Sequence, residues 1–195
     1  MPSGLELDGD IAVDTEAMGL NNKRDRLCVV QISDGNGDAH LVQFEQGKYS
    51  APNLIKLLSD ESRTKIFHFA RFDLSIMRHY LGLSLRNVYC TRTASRLVRT
   101  YSDKHGYKDI CKELLGVDVS KQQQSSYWGG KTLSNEQIDY AASDVLHLHK
   151  LKAKLDEMLL REGRSELAKE IFNFLPHRAE LDLAGWENED IFAHS

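Results

Sequence analysis

The chain has 195 residues, 41% hydrophobic and 28% charged, a composition typical of a soluble globular protein. Its three prolines and the absence of a low-complexity tract exclude a disordered linker protein, and its net charge of −4 excludes a uniformly basic surface that coats long nucleic acid. No apolar run approaches a membrane span, and residues 1–10 lack the order of a signal peptide. Three dispersed cysteines predict buried free thiols. We expect a cytoplasmic protein with no membrane partner.

The predicted elements begin with strands and end with helices. In chain order they are strands at 11–14, 27–32 and 40–44, a helix at 53–59, a strand at 65–69, a helix at 72–81, a strand at 87–90, and helices at 91–101, 108–115 and 134–162. One or two short helices are expected before and after Pro176. This order predicts an α/β fold with a mixed sheet and packed helices. We expect one domain over 1–195, with a core at about 9–162 and a helical, acidic extension at 163–195.

The first candidate for a chemical role is the sequence Asp14-Thr15-Glu16, where a short strand is predicted to end. In an extended chain the side chains of Asp14 and Glu16 point the same way. Two acids so close repel each other unless a cation lies between them, and hard divalent ions such as Mg²⁺ or Mn²⁺ prefer such oxygen ligands. The pattern indicates a metal site, with an exposed strand end as the alternative.

Two further patterns contain acids. Asp73 falls in the first turn of a predicted helix, at the end of the sequence H-F-A-R-F-D at 68–73. Stabilisation of the helix N-terminus by that carboxylate is the alternative there. Tyr140 and Asp144 are four residues apart on a predicted helix and therefore share a face. A half-buried structural tyrosine is the alternative for Tyr140.

The order of these patterns is more specific than any one of them. A D-x-E strand, an aspartate after an H-x-A-x-F turn and a Y-x₃-D pattern on a late helix together resemble the DEDDy 3′→5′ exonucleases. The resemblance to the RNase D branch of that family covers about residues 9–160. It includes V-V-Q-I at 29–32, L-L-G-V at 114–117 and K-Q-Q-Q-S-S-Y-W at 121–128.

This resemblance implies an RNase H-like (DEDD exonuclease) fold, a mixed central sheet flanked by helices, and two divalent cations, Mg²⁺ or Mn²⁺. Asp14, Glu16, Asp73 and Asp144 would hold the metals, and Tyr140 would orient the attacking water. These five would be the catalytic residues. Two metals about 3.5–4 Å apart can generate the nucleophile and neutralise the leaving 3′-oxygen. The implied reaction hydrolyses phosphodiesters to nucleoside 5′-monophosphates.

The length of the chain indicates which members of the family it resembles most. Longer RNase D members carry helical domains after the exonuclease domain, whereas this sequence continues for only about 33 residues beyond Glu162, in an acidic tail. It is therefore more similar to the stand-alone nanoRNase C type, and the runs M-G-L at 18–20 and W-G-G at 128–130 fit that comparison. We expect an exoribonuclease for short single-stranded RNA, including dinucleotides, with DNA left open as a substrate. The resemblance also implies a homo-oligomer, in the form of an octameric ring.

Five residues near the motifs are expected to contact the substrate. The segment after Glu16 should lie beside the metals, so Met18, Gly19 and Leu20 are predicted to contact the terminal bases, with Leu20 wedged between them. A Leu20 that closes the core is the alternative. His68 and Phe72 flank the second motif and are expected to line the nucleotide pocket. A core histidine bonded to backbone is the alternative for His68.

Two other functions remain open at this stage. One is a broader RNase D-type exonuclease for RNA and single-stranded DNA, and the other is a non-catalytic nucleic-acid-binding scaffold. The presence of all five motif residues argues against the scaffold. Residues 86–112 contain seven basic residues against two acids, so they form either a phosphate-binding surface or a solvated helix face.

Overall fold

The structure, a computed structural model, describes residues 4–120 and 122–194. Residues 1–3, at the start of the segment that lacks signal-peptide character, and Lys121, the first residue of the polar run at 121–128, lie outside the described residues. Within the described ranges, none of the helices has the length and apolar character needed to cross a bilayer.

The described residues form five strands, seven α-helices and one further turn. The elements are β1 (Ile11–Ala17), β2 (Leu27–Ser33), β3 (His40–Gln43), α1 (Pro52–Leu58), β4 (Lys65–Phe67), α2 (Ala70–Leu81), β5 (Val88–Cys90), α3 (Thr91–Val98), α4 (Tyr107–Leu115), α5 (Asn135–Leu146), α6 (Leu148–Arg161), α7 (Ser165–Leu181) and the turn Asp182–Trp186. The strands predicted at 27–32 and 40–44 are β2 and β3, which pair antiparallel as a hairpin.

The strands form one mixed sheet in the order β3-β2-β1-β4-β5. β1 pairs antiparallel with β2 and parallel with β4, and β4 pairs parallel with β5. Every residue of β2 is buried, as expected for a strand covered on both faces. All three cysteines are free and buried, as predicted. The predicted α/β class with a mixed sheet is confirmed, and the parallel strands β1, β4 and β5 end at the same edge.

Helices pack against the sheet and against one another. α5 packs against β1, β2 and β3, whereas α6 packs against β4 and α3. α7 packs against α2 and β5. The Phe172 ring of α7 lies 4.6 Å from the Tyr89 ring of β5, centroid to centroid, and Arg71 of α2 donates two hydrogen bonds to Asp182 at the end of α7. The segment after residue 162 therefore contacts the same core as the rest of the chain.

The single helix predicted over 134–162 is wrong, because it is two helices that meet at His147. The backbone N–H of His147 bonds the Val145 carbonyl instead of continuing the α-helical pattern to Ser143. The Ser143 carbonyl accepts a hydrogen bond from the Tyr107 phenol at 2.7 Å. A tertiary contact thus satisfies the carbonyl that the break releases, which is why hydrophobic periodicity alone does not reveal the break.

The prediction of short helices on either side of Pro176 is also wrong, because Pro176 lies inside the 17-residue helix α7. A proline inside a helix removes one backbone hydrogen bond and crowds the preceding turn. Pro176 is buried together with Phe172, Leu175 and Ala179 of the same helix. The apolar contacts of α7 with α2 and β5 therefore offset the cost of the proline.

We expect Gly35→Ala to destabilise the protein by about 1–3 kcal/mol. Gly35 has φ +85, and a Cβ added there would lie 2.9 Å from Cγ of His149. His149 in turn contacts the Asp10 carbonyl through Nε2 at 3.0 Å, immediately before β1. Urea unfolding of the variant against wild type measures the loss.

Gly37→Ala is the matched control in the same turn. Gly37 also has a positive φ, +110, but an added Cβ there would meet no atom within 4 Å. Alanine at position 37 therefore has an unfavourable backbone conformation but no steric conflict. Equal losses of unfolding free energy in the two variants would show that the contact with His149 does not add to the effect of Gly35→Ala.

Candidate active site

The predicted catalytic residues surround one cavity of about 780 Å³. It lies where β1, β4 and β5 end, so residues distant in sequence meet at this edge, as expected for the carboxyl ends of parallel strands. The described residues that line it come from β1 and the loop after it, the β4–α2 junction, α3, the start of α4, the segment 119–126 and α5. Asp14, Glu16, Asp73, Tyr140 and Asp144 are all among them.

Three of the acids come together closely. One carboxylate oxygen from each of Asp14, Glu16 and Asp144 can be chosen so that all three lie within 4.8 Å of one another. Asp14 and Glu16 share a face of β1 because strand side chains alternate, and α5 packs on β1 and adds Asp144. Gln31 lies directly opposite Asp14 on β2 and donates its Nε2 hydrogen to Asp14 Oδ2 at 3.2 Å.

Asp73 lines the same cavity but lies outside this group of three acids. It occupies the first turn of α2, and its side chain is buried. The Thr15 hydroxyl donates a hydrogen bond of 2.6 Å to Asp73 Oδ1. The structure therefore brings four acids to one cavity. The fourth acid, Asp73, is held by a hydrogen bond from an uncharged hydroxyl.

Burial and mutual repulsion make ionisation of these acids unfavourable. Burial raises the pKa of Asp14 to about 7. Burial, with the nearby charges of Asp14, Asp144 and Asp73, raises the pKa of Glu16 to about 10. Burial and Asp14 raise the pKa of Asp144 to about 8, and they raise the pKa of Asp73 well above its usual value. The fold therefore concentrates carboxylates in a place where water alone does not stabilise their charges.

The donor set fits hard divalent cations. Within residues 4–120 and 122–194, no lysine or arginine forms an ion pair with Asp14, Glu16, Asp73 or Asp144. Asp14, Glu16 and Asp144 are partly buried, Asp73 is buried, and these carboxylates without ion-pair partners offer only oxygen ligands, which Mg²⁺ and Mn²⁺ prefer. A bound cation would remove the repulsion that raises the pKa values of these groups.

Tyr140 lies one helical turn before Asp144 on α5. The helix begins with a complete capping box between Ser134 and Gln137, whose S-x-x-Q spacing is the sequence signature of such a box. The amide of Gln137 also donates to the Ser126 hydroxyl at 2.9 Å, which ties α5 to the preceding segment. The buried Trp128 ring lies 6.1 Å from the Tyr140 ring, centroid to centroid. Burial and the nearby carboxylates raise the pKa of Tyr140, so its phenol stays protonated.

The predicted substrate-contacting segment after β1 also lines the cavity. Met18 is 39% exposed and Leu20 is 89% exposed, so the alternative in which Leu20 closes the core is wrong. Gly19 lies between them, and an added Cβ there would lie 2.3 Å from Asp25 Oδ2. The same Asp25 oxygen accepts the Asn21 backbone N–H at 3.0 Å. A side chain at position 19 would force the Asp25 carboxylate to move, so glycine leaves room for the turn that presents Leu20 to the cavity.

His68 and Phe72 are placed at the cavity as well. His68 follows β4 and Phe72 lies in the first turn of α2, on either side of Phe69, which has a positive φ of +68 and immediately precedes α2. His68 Nδ1 lies 2.9 Å from the Thr91 hydroxyl, which itself donates to the Phe67 carbonyl at 3.0 Å. This contact orients the imidazole, which is half-buried at the cavity and does not lie in the core.

The motifs do not identify several other residues of the cavity. Arg92, Tyr107 and Lys108 line it, as do Gln124, Ser125 and Ser126 from the polar run. The basic character of residues 86–112 is the available signal for Arg92 and Lys108, but it does not separate them from neighbours with structural roles. Arg99, in the same segment, is fully buried and paired with Glu113. Only part of the basic segment therefore faces the site.

Comparisons with known proteins agree with this geometry. A family model described as a 3′-5′ exonuclease matches residues 3–160. Ribonuclease D from Gluconacetobacter diazotrophicus is 34% identical over 154 residues, which are 79% of this chain and 39% of the relative. The chain thus spans about two fifths of the length of that curated relative.

Two solved structures of Brucella melitensis NrnC are much more similar. The structure with bound Mg²⁺ is 55% identical, with a TM-score of 0.93, and the match covers 99% of this chain and 94% of that one. The structure bound to pGG is 56% identical, with a TM-score of 0.94 and coverage of 99% and 93%. With the four acids and the tyrosine arranged around one cavity, these matches show that the chain belongs to the RNase D-like 3′-5′ exonucleases and, within them, to the nanoRNase C type.

Proposed function

We propose that this protein is a metal-dependent 3′→5′ exoribonuclease that hydrolyses short oligoribonucleotides, including dinucleotides, to nucleoside 5′-monophosphates. The observation that carries the proposal is the group Asp14, Glu16 and Asp144, whose oxygens lie within 4.8 Å of one another beside Asp73 and Tyr140. Membership of the exonuclease family supports the reaction type. The relative bound to pGG supports the short substrate.

Asp14, Glu16, Asp73 and Asp144 would hold two divalent cations, Mg²⁺ or Mn²⁺. The relative with bound Mg²⁺ supports this choice. When bound, such ions stabilise the charge on the phosphate and on the leaving 3′-oxygen and lower the pKa of water. Tyr140 keeps its proton, so its phenol can orient the attacking water by hydrogen bonding and need not be the general base.

The other residues of the cavity position the nucleotide. We assign contacts with the terminal bases to Met18, Gly19 and Leu20, with Leu20 between the bases, because Leu20 is exposed beside the acids. His68 and Phe72 line the nucleotide pocket. A volume of about 780 Å³ lies within the range of sites that enclose a small ligand, which favours a short substrate over a long one.

The remaining expectations about the whole protein are also proposals. The packing of α7 on α2 and β5 supports a single exonuclease domain over 1–195.

The exposed apolar side chains of Trp186, Ile191 and Phe192 support a homo-oligomer, for which we propose an octameric ring. Light scattering distinguishes a ring from a monomer. We propose a cytoplasmic location, since the three free cysteines suit a reducing compartment.

The central test is hydrolysis of 5′-labelled RNA of increasing length with Mn²⁺. We expect the wild-type protein to cleave pGG and short oligomers faster than long RNA or single-stranded DNA. We expect Asp14→Ala and Asp144→Ala each to abolish this activity, because each removes an oxygen ligand from the acid group. Separation of the labelled products measures the rates.

Asp139→Ala is the matched control for Asp144→Ala, since Asp139 lies on α5 but is exposed and does not line the cavity. We expect it to retain wild-type activity. Wild-type protein that leaves both dinucleotides and heptamers intact with Mn²⁺ would contradict the proposed function. Equal rates at all lengths would instead favour the broader exonuclease.

The acid group also predicts how stability depends on pH. The pKa values of Asp14, Glu16 and Asp144 are raised to about 7, 10 and 8 in the folded state. The folded protein therefore binds more protons than the unfolded chain, whose carboxyls titrate near pH 4. Without metal, the free energy of unfolding should fall as the pH rises from about 4 to about 10. Thermal unfolding with EDTA across this range measures the fall.

Excess Mg²⁺ should reduce that fall, because it stabilises the ionised carboxylates of the folded state. Asp144→Asn should also reduce it, since it removes one of the carboxyl groups whose pKa is raised, whereas Asp139→Asn, at an exposed residue, should leave it unchanged. The same pH dependence in wild type and Asp144→Asn would show that the acid group does not govern stability.

Leu20→Ala tests the proposed contact with the bases. Because Leu20 is 89% exposed, we expect a change in stability within about 0.5 kcal/mol. We expect kcat/KM for pGG to fall by about tenfold or more, since the apolar contact with the bases is lost. Steady-state kinetics on pGG measure the effect.

Leu160→Ala is the comparison, since Leu160 on α6 is 75% exposed and does not line the cavity. It should keep the wild-type kcat/KM. A Leu20→Ala protein with unchanged kinetics would remove Leu20 from the substrate site.

A further inference from the structure

Thr15 stands between two acids of the motif but contacts a third acid. Because side chains alternate along β1, its side chain leaves the strand on the face opposite to Asp14 and Glu16. There its hydroxyl meets Asp73 Oδ1 at 2.6 Å. Thr15 is 7% exposed and Asp73 is 3% exposed, so water has little access to this bond.

We propose that Thr15 is a positioning residue, which holds one oxygen of Asp73 so that the other can take part in metal binding. The inference rests on the proposed function and deepens it. An ionised carboxylate only accepts hydrogen bonds, so the Thr15 hydroxyl is the donor, and its single proton is committed to Asp73. Gln31 does the same for Asp14 from the neighbouring strand, at 3.2 Å.

The local structure of α2 does not replace this contact. The helix begins at Ala70 after Phe69, and no side chain caps its N-terminus. The backbone N–H groups of Asp73 and Thr15 also act on the Asp73 carboxylate and lower its pKa. Those backbone donors remain after a substitution at Thr15, so the hydroxyl is the contact that a side-chain variant removes.

The residue type suits the task. Threonine is branched at Cβ, which restricts its χ1 angle in a strand and fixes the direction of the hydroxyl. Serine keeps the hydroxyl with a freer χ1, whereas valine keeps the shape and loses the donor. The proposal therefore predicts a graded series, in which metal affinity falls slightly in Thr15→Ser and strongly in Thr15→Val.

Mn²⁺ binding without substrate tests the proposal. Calorimetric titration with Mn²⁺ should show binding weakened by about 10–100-fold in Thr15→Val, the usual effect of removing a hydrogen-bond partner of a metal ligand. Thr15→Ser should keep most of the affinity, and Thr15→Ala should resemble Thr15→Val. Circular dichroism verifies that each variant is folded.

A double-mutant cycle with Asp73→Asn separates positioning from a general structural effect. If Thr15 acts through the Asp73 carboxylate, Thr15→Val should weaken Mn²⁺ binding little further in the Asp73→Asn protein. An equal loss in both backgrounds would overturn the proposal. Wild-type Mn²⁺ affinity in folded Thr15→Val or Thr15→Ala would also overturn it.

The outcomes for the two proposals are distinguishable. A wild-type protein that binds Mn²⁺ and cleaves pGG, beside a Thr15→Val protein with unchanged Mn²⁺ affinity, overturns the role of Thr15 and leaves the proposed function standing. A wild-type protein that neither binds Mn²⁺ nor cleaves pGG overturns both.

Discussion

Mutual repulsion among closely spaced, partly buried carboxylates is the constraint on which the site of this molecule depends. β1 places Asp14 and Glu16 on one face because its side chains alternate, and α5 adds Asp144, so that their oxygens lie within 4.8 Å of one another. Burial and like charge raise the pKa values of these groups. The rest of the fold supplies the free energy that keeps them together: the fully buried strand β2 supports β1 from one side, and β4 supports it from the other.

The mixed sheet explains why so many distant residues reach this place. β1 is the strand at which antiparallel pairing changes to parallel pairing. The chain therefore leaves β1, β4 and β5 at one edge, and the residues that follow these strands include Met18, His68 and Arg92 at the cavity. The break at His147 lies beside the same site, where the Tyr107 phenol binds the Ser143 carbonyl next to Asp144.

Charge at the site differs from charge over the whole chain. The net charge of −4 argues against a protein that tracks along long nucleic acid. Arg92 and Lys108 nevertheless line the cavity, and bound divalent cations would add positive charge where the phosphate sits. A local attraction of this kind suits a short substrate enclosed beside the acids, with the exposed Leu20 at its edge.

Features that depend on local periodicity can be predicted from the amino-acid sequence alone. The D-x-E pattern follows from the two-residue repeat of a strand, the Y-x₃-D pattern from the turn of a helix, and the capping box at Ser134 from a contact across three residues. Tertiary structure decided the break at His147, the continuous helix through Pro176 and the division of the basic segment between Arg99 in the core and Arg92 at the cavity. It also decided the bond between Thr15 and Asp73, which are 58 positions apart. Such contacts depend on how the elements pack, and no repeat in the sequence encodes that packing.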